Sequence, residues 1–584
     1  MKDFLKMLLA VICGLLLFGF ICFFILGGAL TAMGTAAGSG KTVIPRSGIL
    51  AVDMSAFVLG EQSNPGTGFN PGFSFAGGAT LPTVGALQAT RAIQVAAEDA
   101  GVKAIFLKTD GNVSDVSAVE EFRKALSAFR SSGKPIVAYV EAPTTGGYWL
   151  ASVADKIYMT EYQGATITMT GVSTQSVFLK DLLDKLGVNV QLIRHGKYKS
   201  AGETFTRNSS SPENTFQYQT LVNSLWSTMR GDICKSRGMA EETLDAAIDN
   251  LELCLPEDFL KAGMVDGLVT RQGLKDKLAT LAVKDKFSEV SFIDFADYAA
   301  AKVLPNTKSK NKIAIIYTEG EIVDGKETRE VAGDRFAAII DKVKADSSIK
   351  AVVLRVNSPG GSVLASEKIK HELDLLGEEK PLIASYGAYA ASGGYWISNN
   401  CSKIFTDATT LTGSIGVFGM IPDFSKTAKD LLKVNVQSVS SNKHGDMYSL
   451  MRPFDANEYN YMLRSIETVY DKFTAIVSEG RGIPKETVDE IGQGRVWTGA
   501  DALGINLVDE IGTLEEAVGY AAVSNGLSLT DVQIAEYPKP LSAMQQAMQL
   551  LQGGSDKDEY VKAKIKGMAR PQVIARMPYQ ITVY

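Results

Sequence analysis

The chain has 584 residues, too many for one hydrophobic core, so its length predicts two or more domains. Its 59 basic and 65 acidic residues are interspersed and give a net charge of −6. Because there is no basic stripe and no long acidic tail, nucleic-acid-binding proteins are excluded as the main class. The five cysteines form no CxxC pair and have no histidine at metal-binding spacing, which indicates neither a zinc site nor a disulfide framework. Cys234, Cys254 and Cys401 are therefore predicted to be buried core residues.

The N-terminus predicts a membrane anchor. Residues 1–6 form a polar stub, and residues 7–30 are an almost uninterrupted apolar run without a charge. A helix of that length crosses a hydrocarbon core of roughly 30 Å. A cleaved signal peptide is the alternative, but the run is longer than the usual apolar core of such peptides. Lys2 and Lys6 favour a cytoplasmic N-terminus, with residues 31–47 as a linker to an exported globular part.

Short motifs recur in the same order in the two halves of the chain. The matching pairs are Val102–Asp110 with Ile349–Asn357, Lys134–Ala138 with Lys380–Ala384, Gly146–Trp149 with Gly393–Trp396, and Val188–Gln191 with Val434–Gln437. All of these pairs keep an offset of about 247 residues, which chance matches would not do. The sequence therefore predicts a tandem duplication.

Each copy alternates strand-like apolar runs with helical patterns, and this alternation predicts an α/β fold with a parallel sheet in each copy. We place the first copy at residues 48–307, the second at residues 308–540 and a C-terminal extension at residues 541–584. The extension ends in strand-like runs, which are expected to complete a sheet or to meet a neighbouring subunit. The Gly-, Pro- and Phe-rich stretch Leu59–Leu81 is predicted to be a loop.

The candidate nucleophile is Ser392, which follows the apolar run Pro381–Ser385 and precedes a predicted helix. A serine at a strand-to-helix turn leaves its Oγ approachable by a carbonyl, beside the free N–H groups of the first helical turn. The alternative is that Ser392 only caps the helix. Thr145 lies opposite Ser392 when the copies are aligned, so only the second copy can supply a serine nucleophile.

Glycines on both sides of this turn form a candidate oxyanion hole. Gly360 and Gly361 stand in the turn Asn357–Ser362, and consecutive glycines let backbone N–H groups approach a ligand closely. The amide of Gly393, directly after the nucleophile, is a further donor. The first copy has no glycine pair at the corresponding position.

Two candidates remain for the general base. Of the three histidines, His195, His371 and His444, only His444 lies in a polar stretch suited to a base. The other candidate is Lys199, whose counterpart in the second copy is Gly445. One copy keeps a lysine without the serine and the other keeps the serine without the lysine, as expected if a site between identical subunits became divided within one chain. A lysine is a base only when neutral, so this hypothesis requires a dry site, and a solvated lysine without a role is the alternative.

Several features follow one another along the chain: the N-terminal apolar run, Tyr198–Ala201, Asn357–Ser362, Ala390–Trp396, Leu411–Val417 and Gly494–Gly499. Together they resemble the long, tandem-repeat signal peptide peptidases of peptidase family S49, which are membrane-bound proteases with a serine and lysine dyad. The resemblance extends over nearly the whole chain.

The resemblance implies roles for particular residues. Ser392 would be the nucleophile and Lys199 the general base, while Ser414 would orient the lysine and the amides of the three glycines named above would bind the oxyanion. It also implies two ClpP/crotonase-like domains, no metal or other cofactor, and a homo-oligomer, a tetramer in the family, that forms a bowl with its sites inside.

The activity implied is a serine endopeptidase that cleaves remnant signal peptides, anchored in the inner membrane with its catalytic part on the periplasmic side. Two other classes stay open from the residues alone. A crotonase-like acyl-CoA enzyme would share the glycine-rich architecture but would not need Ser392. A catalytically inactive membrane scaffold would extend to both copies the loss already visible at Thr145.

Overall fold

The computed structural model describes residues 44–64, 81–539 and 573–577. The predicted anchor and stub, most of the linker and most of the C-terminal extension lie outside these residues. Within the described part of the chain, no helix is both long and apolar enough to span a membrane.

A parallel six-stranded sheet forms the centre of the first half. Its strands lie in the spatial order Gly267–Val269, Lys156–Thr160, Ile136–Val140, Val102–Lys108, Gly48–Asp53 and Phe292–Asp294. Apolar clusters cover both faces of this sheet, which is why its strands are continuous apolar runs rather than alternating ones. The helices of this half are Ala86–Glu98, Val116–Phe129, Thr145–Ala151, Lys180–Lys185, Glu203–Thr206, Pro212–Arg237, Glu241–Asp249, Pro256–Lys261, Arg271–Leu281 and Phe295–Lys302.

The second half repeats this plan with an eight-stranded sheet. Its main path is Val496–Thr498, Leu411–Gly413, Leu382–Ala391, Ile349–Ser358, Lys312–Glu319 and Gln533–Tyr537, with Lys403–Thr406 and Glu510–Ile511 beside it. All pairs are parallel except the one between Val496–Thr498 and Leu411–Gly413. The helices are Gly333–Ala345, Val363–Glu379, Gly393–Ser398, Ala456–Arg481, Lys485–Ile491, Gly499–Gly504 and Leu514–Val523. The α/β fold with parallel sheets that the sequence predicts is therefore confirmed.

A third sheet contains strands from both halves. Its order is Val331–Ala332, Ile322–Val323, Gly360–Ser362, Val573–Arg576, Phe418–Asp423 and Asn189–Arg194. Asn189–Arg194 belongs to the first half and pairs antiparallel with Phe418–Asp423 of the second. This pairing brings the segment that carries Lys199 against the second half. The same sheet contains the predicted terminal strand, Val573–Arg576, which completes it.

A buried charge cluster also joins the halves. Arg355 has its Nε 2.6 Å from Glu61 Oε2 and its Nη1 2.8 Å from Glu121 Oε1. All three residues are buried, and the two carboxylates come from the first half while the guanidinium comes from the second. Removing one partner would leave an uncompensated buried charge, at a cost of about 3–5 kcal/mol.

Two sequence predictions need correction. Cys254 is exposed, because it lies in the connection between the helices Glu241–Asp249 and Pro256–Lys261 rather than in the core; Cys234 and Cys401 are buried as predicted. The predicted loop Leu59–Leu81 overlaps a strand, Val58–Gly60, which pairs with Thr83–Gly85. Most of that loop lies outside the described residues.

Candidate active site

Ser392 lies at the turn between the strand Leu382–Ala391 and the helix Gly393–Ser398. Its φ of 56° is in the left-handed region, which a serine adopts only where surrounding contacts impose it. Its backbone N–H donates to the Gly413 carbonyl at 2.8 Å, and its side chain caps no helix amide. The helix-cap alternative is therefore wrong, and the hydroxyl is turned away from the helix.

Lys199 meets this hydroxyl from the other half of the chain. Its Nζ lies 2.9 Å from Ser392 Oγ, 3.0 Å from Ser414 Oγ and 3.1 Å from the Ser414 carbonyl oxygen. All three residues are fully buried. The structure thus brings together three of the residues singled out in the sequence.

Burial sets the charge state of this lysine. It lowers the pKa of Lys199 well below the ordinary value of 10.5, because the ammonium form loses its hydration. A neutral amine has two N–H donors and one lone pair. Two contacts to Ser414 engage the donors, which leaves the lone pair to accept the Ser392 O–H proton.

Two glycines make room for the buried side chain of Lys199. A Cβ on Gly494 would lie 2.6 Å from Lys199 Cβ, and a Cβ on Gly416 would lie 3.2 Å from Lys199 Cδ. The Lys199 carbonyl accepts a 2.9 Å hydrogen bond from Arg194 Nη1, and the same nitrogen lies 3.2 Å from the buried Glu203 carboxylate. The aliphatic part of the lysine side chain therefore packs against glycine backbone, and the lysine carbonyl is held by the arginine.

Sequence reasoning missed these supporting residues as parts of the site. Gly416 and Gly494 do belong to two of the motifs that carry the family resemblance. The sequence does not show, however, that these glycines make room for a lysine side chain. Arg194 and Glu203 carried no signal, because an arginine and a glutamate nine residues apart are ordinary in any chain.

The predicted oxyanion glycines lie beside Ser392. Gly360 has a φ of 95°, and a Cβ there would lie 2.5 Å from the Gly393 amide nitrogen, so only glycine fits. A Cβ on Gly393 would in turn lie 3.1 Å from the Gly361 amide nitrogen. The Gly360 N–H donates to Ser358 Oγ at 3.2 Å. The three predicted donors therefore lie close together beside Ser392.

The histidines are engaged elsewhere. His195 stacks on Tyr470 with ring centroids 3.9 Å apart, and His371 is exposed on the helix Val363–Glu379. His444 Nδ1 lies 3.0 Å from Glu458 Oε1. In the described part of the chain, no histidine is hydrogen-bonded to Ser392.

One cluster among the described residues has metal-ligand geometry, formed by His444, Asp455 and Glu458. Arg452 already binds both oxygens of Glu458 at 2.7 Å, and these hydrogen bonds lower the pKa of Glu458 to about 2. A guanidinium therefore occupies the position beside this carboxylate that a cation would need.

Comparison with known proteins identifies relatives of this chain. The model of peptidase family S49 matches residues 128–284 and 374–528, one segment in each half. Protease 4 of Haemophilus influenzae is 35% identical over 505 residues, which cover 83% of this chain and 80% of the relative. Protease 4 of Salmonella typhi is 35% identical over 445 residues, covering 74% and 70%. The chloroplastic serine protease SPPA of Arabidopsis thaliana is 29% identical over 464 residues, covering 77% and 67%.

Among solved structures, a ClpP1 mutant from Listeria monocytogenes covers 35% of this chain and 94% of its own, at 13% identity and a TM-score of 0.25, too low to support an argument about fold. The sequence relatives are sufficient to identify the class of this protein, which is a serine peptidase. The chain belongs to peptidase family S49.

Proposed function

We propose that this chain is a membrane-anchored endopeptidase that cleaves remnant signal peptides and other apolar peptides, with Ser392 as nucleophile and Lys199 as general base. The observation that carries the proposal is the 2.9 Å separation between Lys199 Nζ and Ser392 Oγ in a site without exposed surface. A neutral, buried amine at this distance is what proton abstraction from a serine requires.

The reaction follows from these positions. Ser392 Oγ attacks the scissile carbonyl carbon while its proton passes to Lys199 Nζ, and the lysinium then protonates the leaving amine as the peptide C–N bond breaks. A water next gives a proton to Lys199 and attacks the acyl-enzyme ester. The second product leaves as an acid, and the proton returns to Ser392 Oγ.

Negative charge develops on the substrate carbonyl oxygen in both steps. We assign its stabilisation to the amides of Gly360, Gly361 and Gly393, which lie together beside the nucleophile. Ser414 is assigned a positioning role, because it holds the amine by two contacts without touching the reacting bond.

The wider organisation is part of the same proposal. Residues 7–30 would anchor the chain in the inner membrane, where apolar peptides left by signal-peptide cleavage accumulate, with the catalytic part on the periplasmic side. The repeats would be ClpP/crotonase-like domains at residues 48–307 and 308–540. Several copies, a tetramer by the family resemblance, would enclose the sites.

Hydrolysis of casein and of a leucine-rich peptide by the full-length chain in detergent tests the proposal. Ser392→Ala and Lys199→Ala, each verified as folded, are expected to lose nearly all activity, whereas His444→Ala keeps it. An active Ser392→Ala variant would remove the nucleophile assignment. An active Lys199→Ala beside an inactive His444→Ala would transfer the role of base to the histidine.

A further inference from the structure

A cavity of about 1010 Å³ lies beside the turn of the first half that corresponds to the catalytic turn of the second. Residues of the motif Gly146–Trp149, the counterpart of Gly393–Trp396, form part of one wall. Pro359 and Tyr389 of the second half form part of the opposite wall. The cavity is therefore a compartment between the two halves, and its volume is sufficient for a short stretch of peptide.

This cavity lies within reach of the active site. Tyr389, on its wall, precedes Ser392 by three residues at the end of the strand Leu382–Ala391. Three extended residues span about 10 Å. A peptide whose scissile bond lies at Ser392 can therefore place a side chain in the cavity from a position about three or more residues away.

Two carboxylates without a counterion line the cavity, one from each half. Asp115 precedes the helix Val116–Phe129 but its side chain caps no amide, and Glu319 ends the strand Lys312–Glu319. Neither carboxylate has a hydrogen bond or an ion pair among the residues that the structure describes. Burial and the neighbouring charge of Glu61 raise the pKa of both, that of Glu319 to about 7. Both groups are therefore ionised at the cost of mutual repulsion, which a cationic ligand would relieve.

The other charges at the cavity do not cancel this negative charge. Five charged residues line it, and four of them are carboxylates. Glu321 Oε1 lies 3.3 Å from Arg576 Nη1, and Glu330 Oε2 accepts the Glu321 N–H at 2.8 Å. Arg355 acts on Glu319 from behind the wall, but its guanidinium is shared by the two buried carboxylates described above. The cavity therefore keeps a net negative charge.

The rest of the wall suits a long aliphatic side chain and a peptide group. Ser117 lines the cavity and is only 2% exposed, and within the described part of the chain its hydroxyl has no hydrogen-bond partner. A buried hydroxyl without a partner is a position for a ligand, such as a peptide carbonyl oxygen. Val113, Leu225 and Met229 add apolar surface. Lysine and arginine need this combination, because an apolar stem carries their charge.

We propose that this cavity is a recognition site for a basic side chain of the peptide substrate, in which Asp115 and Glu319 bind the cation and the apolar wall packs on its stem. This inference rests on the proposed function, because the scissile bond at Ser392 sets how far away the basic residue lies. Signal peptides carry basic residues before their apolar core, so the site selects remnants that still have that end. The first half, which lacks the nucleophile, thus binds part of the substrate that the second half cleaves.

Paired fluorogenic peptides test the recognition site. In one series of apolar peptides a lysine is moved residue by residue away from the scissile bond on either side, and in the other an uncharged norleucine takes its place. An exposed ion pair contributes up to about fivefold, so two carboxylates predict a kcat/KM about 10-fold higher for lysine at the best position, through a lower KM. This preference is expected to fall in 0.5 M salt.

The same preference is expected to depend on pH. Glu319 loses its proton as the pH rises through about 7, so the ratio of kcat/KM for lysine to that for norleucine should be higher at pH 8 than at pH 6. The charged groups that act on Glu319 are Glu61, Asp115 and Arg355. Ionisation of Lys199 affects both peptides alike and cancels in this ratio.

Variants assign the preference to the two carboxylates. Asp115→Asn and Glu319→Gln are each expected to lower the lysine-to-norleucine ratio about threefold, and the double variant to bring it close to 1. The matched control is Glu479→Gln, the same kind of change at an exposed position on the helix Ala456–Arg481. Glu319→Lys is expected to reverse the preference in favour of a peptide with glutamate at that position. A purely structural role of Glu319 would not produce this reversal.

Binding to the Ser392→Ala variant separates this inference from the proposed function. The lysine peptide, carrying a fluorophore, is expected to bind about 10-fold more tightly than the norleucine peptide, and Asp115→Asn with Glu319→Gln should remove the difference. Equal affinities, or a preference that survives in the double variant, would overturn the recognition site while peptidase activity stands. If the lysine peptide binds preferentially but the wild type cleaves no peptide, the cavity is a binding site for basic peptides and the proposed function fails.

Discussion

The two halves of the chain build the same strand-to-helix turn in different ways. In the first half, Thr144 enters the helix at a φ of −97° and its hydroxyl caps the Gly147 N–H at 3.0 Å. The neighbouring Thr145 hydroxyl accepts hydrogen bonds from the Thr170 and Gly171 amides at 3.2 and 3.1 Å. In the second half, Ser392 has a φ of 56°, caps nothing and faces an amine. A hydroxyl satisfied by its own backbone stabilises the turn, whereas one held in a strained turn is available for chemistry.

Other contacts around the turn are the same in both halves. Asp110 accepts from the Ala142 N–H at 2.9 Å, and its counterpart Asn357 accepts from the Tyr389 N–H at 3.1 Å. These side chains tie the end of one strand to the next. The duplication has thus kept these scaffold contacts in both copies, while the hydroxyl residues at the turn differ in conformation and partners.

The largest expected effect distinguishes the role of the Ser392 hydroxyl from that of the Thr145 hydroxyl. Ser392→Ala is expected to lower kcat by about 10⁴-fold or more, because no other group replaces a nucleophile. Thr145→Ala is expected to keep kcat and to lower the free energy of unfolding by about 0.5–1.5 kcal/mol, since two hydrogen bonds from half-buried or exposed residues lose their acceptor. Peptide hydrolysis and chemical denaturation of both variants measure this. Equal loss of activity in both variants would contradict the claim that only the turn of the second half carries a catalytic hydroxyl.

The next effect tests the close approach of Lys199. Gly494→Ala would place a Cβ 2.6 Å from Lys199 Cβ, and a shift of about 1 Å in a catalytic group is expected to lower kcat by about 10²-fold. Gly482→Ala is the matched control, because it also has a positive φ, 64°, but meets no atom within 4 Å. It is expected to cost about 1 kcal/mol of stability and no activity. If Gly494→Ala is as active as Gly482→Ala, Lys199 does not need this packing.

Ser414→Ala is expected to have a smaller effect, a loss of about 10-fold in kcat, since the Ser414 carbonyl still holds the amine. KM is expected to change little, and the pH profile of kcat should shift because one polar partner of the lysine is gone. Steady-state kinetics across pH distinguishes this from a structural role. A change in stability with an unaltered pH profile would contradict the positioning role.

The smallest effect concerns stability. Lys199→Met removes the need to bury an amine and is expected to raise the free energy of unfolding by about 1 kcal/mol while abolishing activity. The folded-state pKa of Lys199 is lowered, so the unfolded chain binds more protons and wild-type stability rises with pH. The variant's advantage is therefore greatest below the lowered pKa and disappears as the pH approaches 10.5. Denaturant titrations at several pH values measure this, and an advantage that grows with pH would be contrary to a lowered pKa.

The sequence predicted the parallel α/β halves and placed Ser392 and Lys199 among the candidate site residues, with His444 left open as the base. The repeat offset aligned Ser392 with Thr145, and the reciprocal loss of Lys199 and Ser392 predicted that they meet. These inferences worked because duplication supplies an internal comparison, which substitutes for knowledge of the fold.

What the sequence could not supply depends on backbone placement. Positive φ angles at Ser392 and Ser414 are outcomes of the surrounding contacts, and no local pattern encodes them. The shared sheet pairs Asn189–Arg194 with Phe418–Asp423, which are more than two hundred residues apart. The expected terminal strand was predicted, but its place between Gly360–Ser362 and Phe418–Asp423 was not, because a strand-like run does not specify its neighbours.

The most direct test of the divided site is the pH dependence of Ser392 acylation by a fluorophosphonate, followed by intact mass. In the wild type the rate is expected to rise with pH through the ionisation of Lys199, with a midpoint well below 10.5. His444→Ala should give the same profile, and Lys199→Ala should be acylated far more slowly at every pH. Acylation of Lys199→Ala at the wild-type rate and with the wild-type profile would contradict the account.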